Sequence, residues 1–108
     1  MARKIEQSVT DAIRARRAFC GGNTTVSVGV DDLLVTLHGH QIARLENDRL
    51  ALDWCNYYTS TTRSRLNAVL EALAPQYRAW IKDGCGLIGN EALGHVATNC
   101  IFTTRVTS

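Results

Sequence analysis

The sequence predicts an α+β fold: an N-terminal helix, a four-stranded antiparallel β-meander, a second helix packed on the sheet, and one or two C-terminal strands. Three observations predict it. Ile5, Val9, Ala12 and Ile13 recur at helical spacing. From residue 24 to 54 the pattern alternates, rich in β-branched residues and cut by short turn signals. Leu66, Val69, Leu70 and Leu73 then restore helical spacing until Pro75 stops it. At 108 residues the chain is read as one domain, 1–108.

Taken in order, residues 3–18 form an amphipathic helix. Arg3, Gln7, Thr10, Arg14 and Arg17 lie opposite its apolar stripe, and the glycine pair Gly21–Gly22 is read as its terminator. Strands follow at 24–28, 33–38, 41–46 and 49–54, with turns at 29–32, at Gly39–His40 and at Asn47–Asp48. Leu33, Val35 and Leu37 share a face, as do Leu50, Leu52 and Trp54. Thr59, Thr61 and Thr62 supply capping hydroxyls for a helix at about 62–74. Residues 77–82 read as a fifth strand, 83–84 as a turn and 99–107 as a terminal strand; 84–98 is left as short strand or loop.

Charge is unevenly spread. Residues 1–20 carry five basic and two acidic side chains, 31–53 carry two and five, and 60–82 carry four and one, within a total of only +2. The helices are thus basic and the meander acidic, which sets up attraction between them or a basic face for an acidic partner. The modest total excludes the strongly basic balance of a dedicated DNA binder. The uninterrupted apolar runs are too short for a membrane span, and the N-terminus lacks the apolar stretch of a secretion signal.

The four cysteines, at 20, 55, 85 and 100, form no CxxC pair and are read as reduced thiols. His38-Gly39-His40 would place two imidazoles on one strand face, but Gly39 reads as a turn residue, so no metal and no cofactor is assigned. Paired carboxylates, a nucleophile with its base, a phosphate-binding glycine loop and HExxH are all missing, and the expectation is a protein that is not an enzyme.

Residues 21–28 (GGNTTVSV), followed by 37–43 (LHGHQIA), and residues 57–70 (YYTSTTRSRLNAVL) together resemble a group of small accessory proteins of tailed bacteriophages. The resemblance covers roughly residues 18–72 and carries lineage rather than an activity. It implies a phage protein working in the cytoplasm of an infected bacterium. The segment TTRSRLN has a chemistry of its own. Arginine at a helix start opposes the macrodipole, so Arg63 and Arg65 either solvate the first turn or join backbone N–H groups and hydroxyls around an anion.

Two functions are expected. The first is a non-catalytic binding protein that inhibits a host component, a protein or ribonucleoprotein complex, with blockade of a CRISPR–Cas effector as one concrete case. Its candidate contacts are Arg14, Arg17, Arg63, Arg65 and an exposed aromatic pair, Tyr57 and Tyr58; Trp54 and Trp80 are assigned to the core. The second is a small module binding RNA or single-stranded DNA, against which stand the acidic sheet and the lack of an aromatic stripe on its strands. A monomer or a homodimer would each fit a sheet of this size.

Overall fold

The computed structural model describes residues 4–21, 23–55, 58–89 and 102–106. Helix α1 spans Lys4–Arg14, followed by β1 (Phe19–Gly21), β2 (Thr24–Val28), β3 (Asp32–Leu37), β4 (His40–Glu46) and β5 (Arg49–Leu52). Helix α2 spans Ser60–Leu73, and β6 (Arg78–Lys82), β7 (Cys85–Gly89) and β8 (Phe102–Arg105) follow among the described residues. The four strands of the meander, β2 to β5, form as expected. They are extended by β1 on one edge and β8 on the other into a six-stranded antiparallel sheet in the order β1-β2-β3-β4-β5-β8. Both edge strands are short, which limits pairing with other chains.

α1 stops short of the expected residue 18, because it ends in a Schellman motif rather than at the glycines. Arg16 takes φ +51. The Arg17 N–H reaches the Ala12 carbonyl at 2.8 Å and the Arg16 N–H the Ile13 carbonyl at 3.1 Å. The released chain pairs as β1, with Gly21 opposite Thr24. The turn between β3 and β4 lies one residue earlier than expected, at His38 (φ +52) and Gly39 (φ +80). Positive φ at both centres matches the right-handed twist of a two-residue hairpin, and glycine takes the second at no steric cost.

Within β4 the register slips: Val35 faces Ala43 while Thr36 faces Gln41, so Ile42 is an extra residue. Such a bulge lets neighbouring side chains share a face, and Ile42 and Ala43 are both buried. They join Val26, Leu33, Val35, Leu37, Leu45, Leu50 and Leu52 beneath the helices. The opposite sheet face, including Ser27, Arg44, Glu46, Arg49 and Thr103, is open to solvent.

The two helices run parallel. Ser64 Oγ donates to Glu6 Oε2 (2.8 Å), Thr10 Oγ1 to the Ala68 carbonyl (3.1 Å) and Arg14 Nη2 to the Glu71 carbonyl (3.3 Å), about one contact per turn. Thr10, expected on the solvent stripe, is therefore buried. β6 and β7 form a separate hairpin against α2. Asn67 clamps it, donating from Nδ2 to the Ala79 carbonyl (3.0 Å) and accepting the Ala79 N–H at Oδ1 (2.8 Å). Gly86 lies flat on the Trp54 ring, where a Cβ would meet ring carbons at 2.4 Å. β7 occupies 85–89 of the stretch left unassigned by sequence; residues 90–98 lie outside the described residues.

Candidate functional site

α2 has neighbours on three sides: α1, the sheet and the β6–β7 hairpin. That decides where its polar residues go. Arg65, expected at the surface, is 6% exposed. Its Nε donates to Thr24 Oγ1 (2.8 Å) and its Nη1 to Ser64 Oγ (3.0 Å), while the Ser64 hydroxyl donates to Glu6 Oε2. A guanidinium and a carboxylate are thus coupled through one hydroxyl, tying α2 to β2 and α1. This corrects both readings of Arg65, as a solvating side chain and as a surface contact. Arg63 is exposed one turn into α2, and Arg14 and Arg17 are exposed at the far end of the helix layer. Tyr58 is half-buried against Trp54, ring centroids 5.8 Å apart. Tyr57 lies outside the described residues. Trp54 is fully buried, as expected, and Trp80 only partly so.

The arginines differ in their ion pairing, and Arg49 on the open sheet face forms no ion pair among the described residues. On the open sheet face Arg44 pairs with Glu46 (2.6 Å) and Asp32 (3.8 Å), and Arg105 with Asp48 (3.6 Å). On the helix layer Arg14, Arg16, Arg17 and Arg63 form no ion pair with a carboxylate among the described residues.

A cavity of about 560 Å³ opens where α2 begins. Leu37, Ile42 and Trp54 form its apolar wall, and His38 and His40 of the β3–β4 turn stand beside it. Thr59, Thr61 and Thr62 bring the helix start to it. Thr59 is the N-cap: its Oγ1 accepts the Thr62 N–H at 3.2 Å and meets Thr62 Oγ1 at 3.1 Å. The first turn carries no acidic side chain. Trp54 Nε1 is shielded from solvent without a hydrogen-bond partner among the described residues. The loop after β5 is pinned to β4 by Cys55, whose Sγ donates to the Gln41 carbonyl (3.2 Å) and whose N–H reaches Asp53 Oδ1 (2.8 Å). Burial, then the nearby Asp53 carboxylate, pushes the Cys55 thiol above its ordinary range, the opposite of an activated nucleophile. Among the described residues no group of three or more His, Cys, Asp or Glu is placed to hold a metal ion.

One of the two sequence readings had hydroxyls, backbone N–H groups and guanidinium groups converge at this helix start. Thr59, Thr61 and Thr62 do line the cavity, whereas Arg65 turns inward and Arg63 is not part of the cavity wall. Sequence reading missed Trp54 as a wall residue. The hydroxyl run 59–62 with no following carboxylate was the available signal; the unpaired indole was not legible, because pairing is decided by tertiary contacts.

No helix among the described residues is long and apolar enough to cross a membrane. Comparison with curated proteins and with solved structures finds no match. The family model described as Kyanoviridae Gp96 protein matches residues 2–104, nearly the whole chain and well beyond the stretch that carried the phage resemblance. The protein therefore belongs to the Kyanoviridae Gp96 protein family, a family of phage proteins.

Proposed function

We propose that this phage protein acts by binding rather than by catalysis, occupying and inhibiting a host component in the cytoplasm of the infected cell. A CRISPR–Cas defence complex is the concrete case. The observation that carries the reading is the contrast in charge pairing. Arg44 and Arg105 on the sheet face are paired with carboxylates, whereas Arg14, Arg17 and Arg63 on the helix layer, like Arg49 on the sheet, have no carboxylate counterpart among the described residues. Uncompensated surface charge raises association rate and selects an oppositely charged partner. An acidic protein surface fits better than nucleic acid, because the arginines are divided between the two ends of α2 rather than gathered in one groove.

The test is capture of host components from bacterial lysate on the tagged protein, with and without nuclease. The expected result is a stoichiometric host protein that survives nuclease and is lost from the triple variant Arg14→Glu/Arg17→Glu/Arg63→Glu. Capture of nucleic acid alone, removed by nuclease and by moderate salt, would replace this reading with the nucleic-acid one.

A further inference from the structure

We infer that the open face of the large sheet is a dimer interface, covered by a second copy of this chain. The partner proposed above meets the helix layer on the other side of the molecule, so the two readings are independent. Strand register sets four charged residues in one row across four adjacent strands. Asp32 of β3 stands opposite Glu46 of β4, Glu46 opposite Arg49 of β5, and Arg49 opposite Arg105 of β8. Directly opposite residues share a sheet face; Glu46, Arg49 and Arg105 are exposed and Asp32 is half-buried. The row therefore runs acid, acid, base, base. Like charges opposite each other are destabilising within a sheet, so the segregation is unfavourable in one chain alone. Local pairing does not remove it. Arg44 bonds both acids and Asp48 meets Arg105. One end then keeps two carboxylates against one guanidinium, and the other keeps two guanidiniums against one carboxylate.

Such a row is complementary to itself. A two-fold axis parallel to the strands, passing between β4 and β5, reverses its order. A second sheet laid face to face then sets each acid over a base and each base over an acid. Isologous dimers require this property, whereas a partner of one sign would be repelled by half the row. The adjoining row supports the same axis through shape. It holds Leu34, Arg44, Ala51 and Thr103 on β3, β4, β5 and β8. The axis sets Arg44 over Ala51 of the second copy and Leu34 over Thr103, large against small, as aligned sheets about 10 Å apart require. The sheet edges offer less, since β1 has three residues and β8 four. The face measures roughly 24 by 17 Å from strand spacing and rise. That is small for a permanent dimer, so association on the order of tens of micromolar is expected.

The test is sedimentation velocity of the purified full-length protein from about 5 to about 500 µM, a range that brackets such a dimer. The expected result is a coefficient that rises with concentration from monomer to dimer. Asp32→Lys/Glu46→Lys makes the row wholly basic, and Arg49→Glu/Arg105→Glu makes it wholly acidic. Each variant alone should associate at least about tenfold more weakly, and an equimolar mixture of the two should recover the dimer. Circular dichroism establishes that each variant keeps the fold. A readout that needs no variant is salt: raising it from about 50 to about 500 mM should weaken the wild-type dimer about fivefold or more. A wild type that stays monomeric throughout, variants that associate like it, a mixture of folded variants that stays monomeric, or a dimer indifferent to salt would each overturn the inference. Because only purified protein is used, failure here leaves the host-partner reading standing.

Discussion

The helix layer and the open sheet face both carry arginines, but the two regions treat them differently. On the sheet, strand register sets Arg44 beside Asp32 and Glu46, and the β4–β5 turn brings Asp48 to Arg105. These two arginines are spent on local pairing between exposed groups, which contributes little to stability, while Arg49, opposite Arg105, forms no ion pair among the described residues. On the helix layer, one arginine is drawn fully inside while four others remain without carboxylates among the described residues. Counting charges along the chain therefore identifies neither a binding surface nor a structural element. What separates them is which elements surround each side chain.

The buried arginine carries the largest expected effect. Arg65→Ala removes charge-assisted bonds to Thr24 and Ser64 and leaves Glu6 without its coupled cation. It should lower unfolding stability by about 2–4 kcal/mol, read as a fall in the urea midpoint at unchanged slope. A loss below about 0.5 kcal/mol, the range of surface substitutions, would mean that Arg65 behaves like its exposed neighbours. Next in size is Asn67→Ala, which strips both backbone bonds holding β6. A cost of about 1–2 kcal/mol is expected, with amide exchange rising first in β6 and β7. Uniform exchange across the large sheet would instead make the hairpin an inseparable part of the core.

Much of this architecture is legible along the chain because alternation and helical spacing are local. Leu33, Val35 and Leu37, like Leu50, Leu52 and Trp54, are buried where the pattern places them. Two misses share one cause. Thr10 and Arg65 are polar, so a one-dimensional pattern sends them to solvent, whereas α1 packed along α2 gives Thr10 the Ala68 carbonyl and β2 gives Arg65 the Thr24 hydroxyl. β1 is hidden because the helix stops at Arg14 with Arg16, not a glycine, in the left-handed cap position. For the candidate site, the hydroxyls and the helix start were visible in residues 59–62. The enclosing turn at His38, the bulge at Ile42 and the unpaired Trp54 indole depend on register and tertiary packing.

A smaller effect examines how the helix layer ends. Arg16 holds a left-handed backbone that disfavours a branched Cα, and its side chain makes no ion pair among the described residues. Arg16→Gly should therefore stabilise the fold by about 0.5–1 kcal/mol, seen as a higher urea midpoint. An unchanged or lower midpoint would mean that the arginine's favourable position at the helix C-terminus outweighs the backbone strain.

The smallest stability effects carry the most direct test of the contrast between the two faces. Arg44→Ala removes exposed pairs and should cost no more than about 0.5 kcal/mol, a loss that shrinks as salt screens the sheet face. Arg17→Ala breaks no ion pair among the described residues and should also stay within about 0.5 kcal/mol. The two variants are thus matched in fold and differ in which surface they discharge. Host-component capture should fall with Arg17→Ala and persist with Arg44→Ala, because removing Arg44 frees Asp32 and Glu46 rather than silencing a basic patch. Equal loss from both would place the partner across both faces and end the distinction between self-paired and unpaired arginines. Loss from Arg44→Ala alone would move the binding surface to the open sheet.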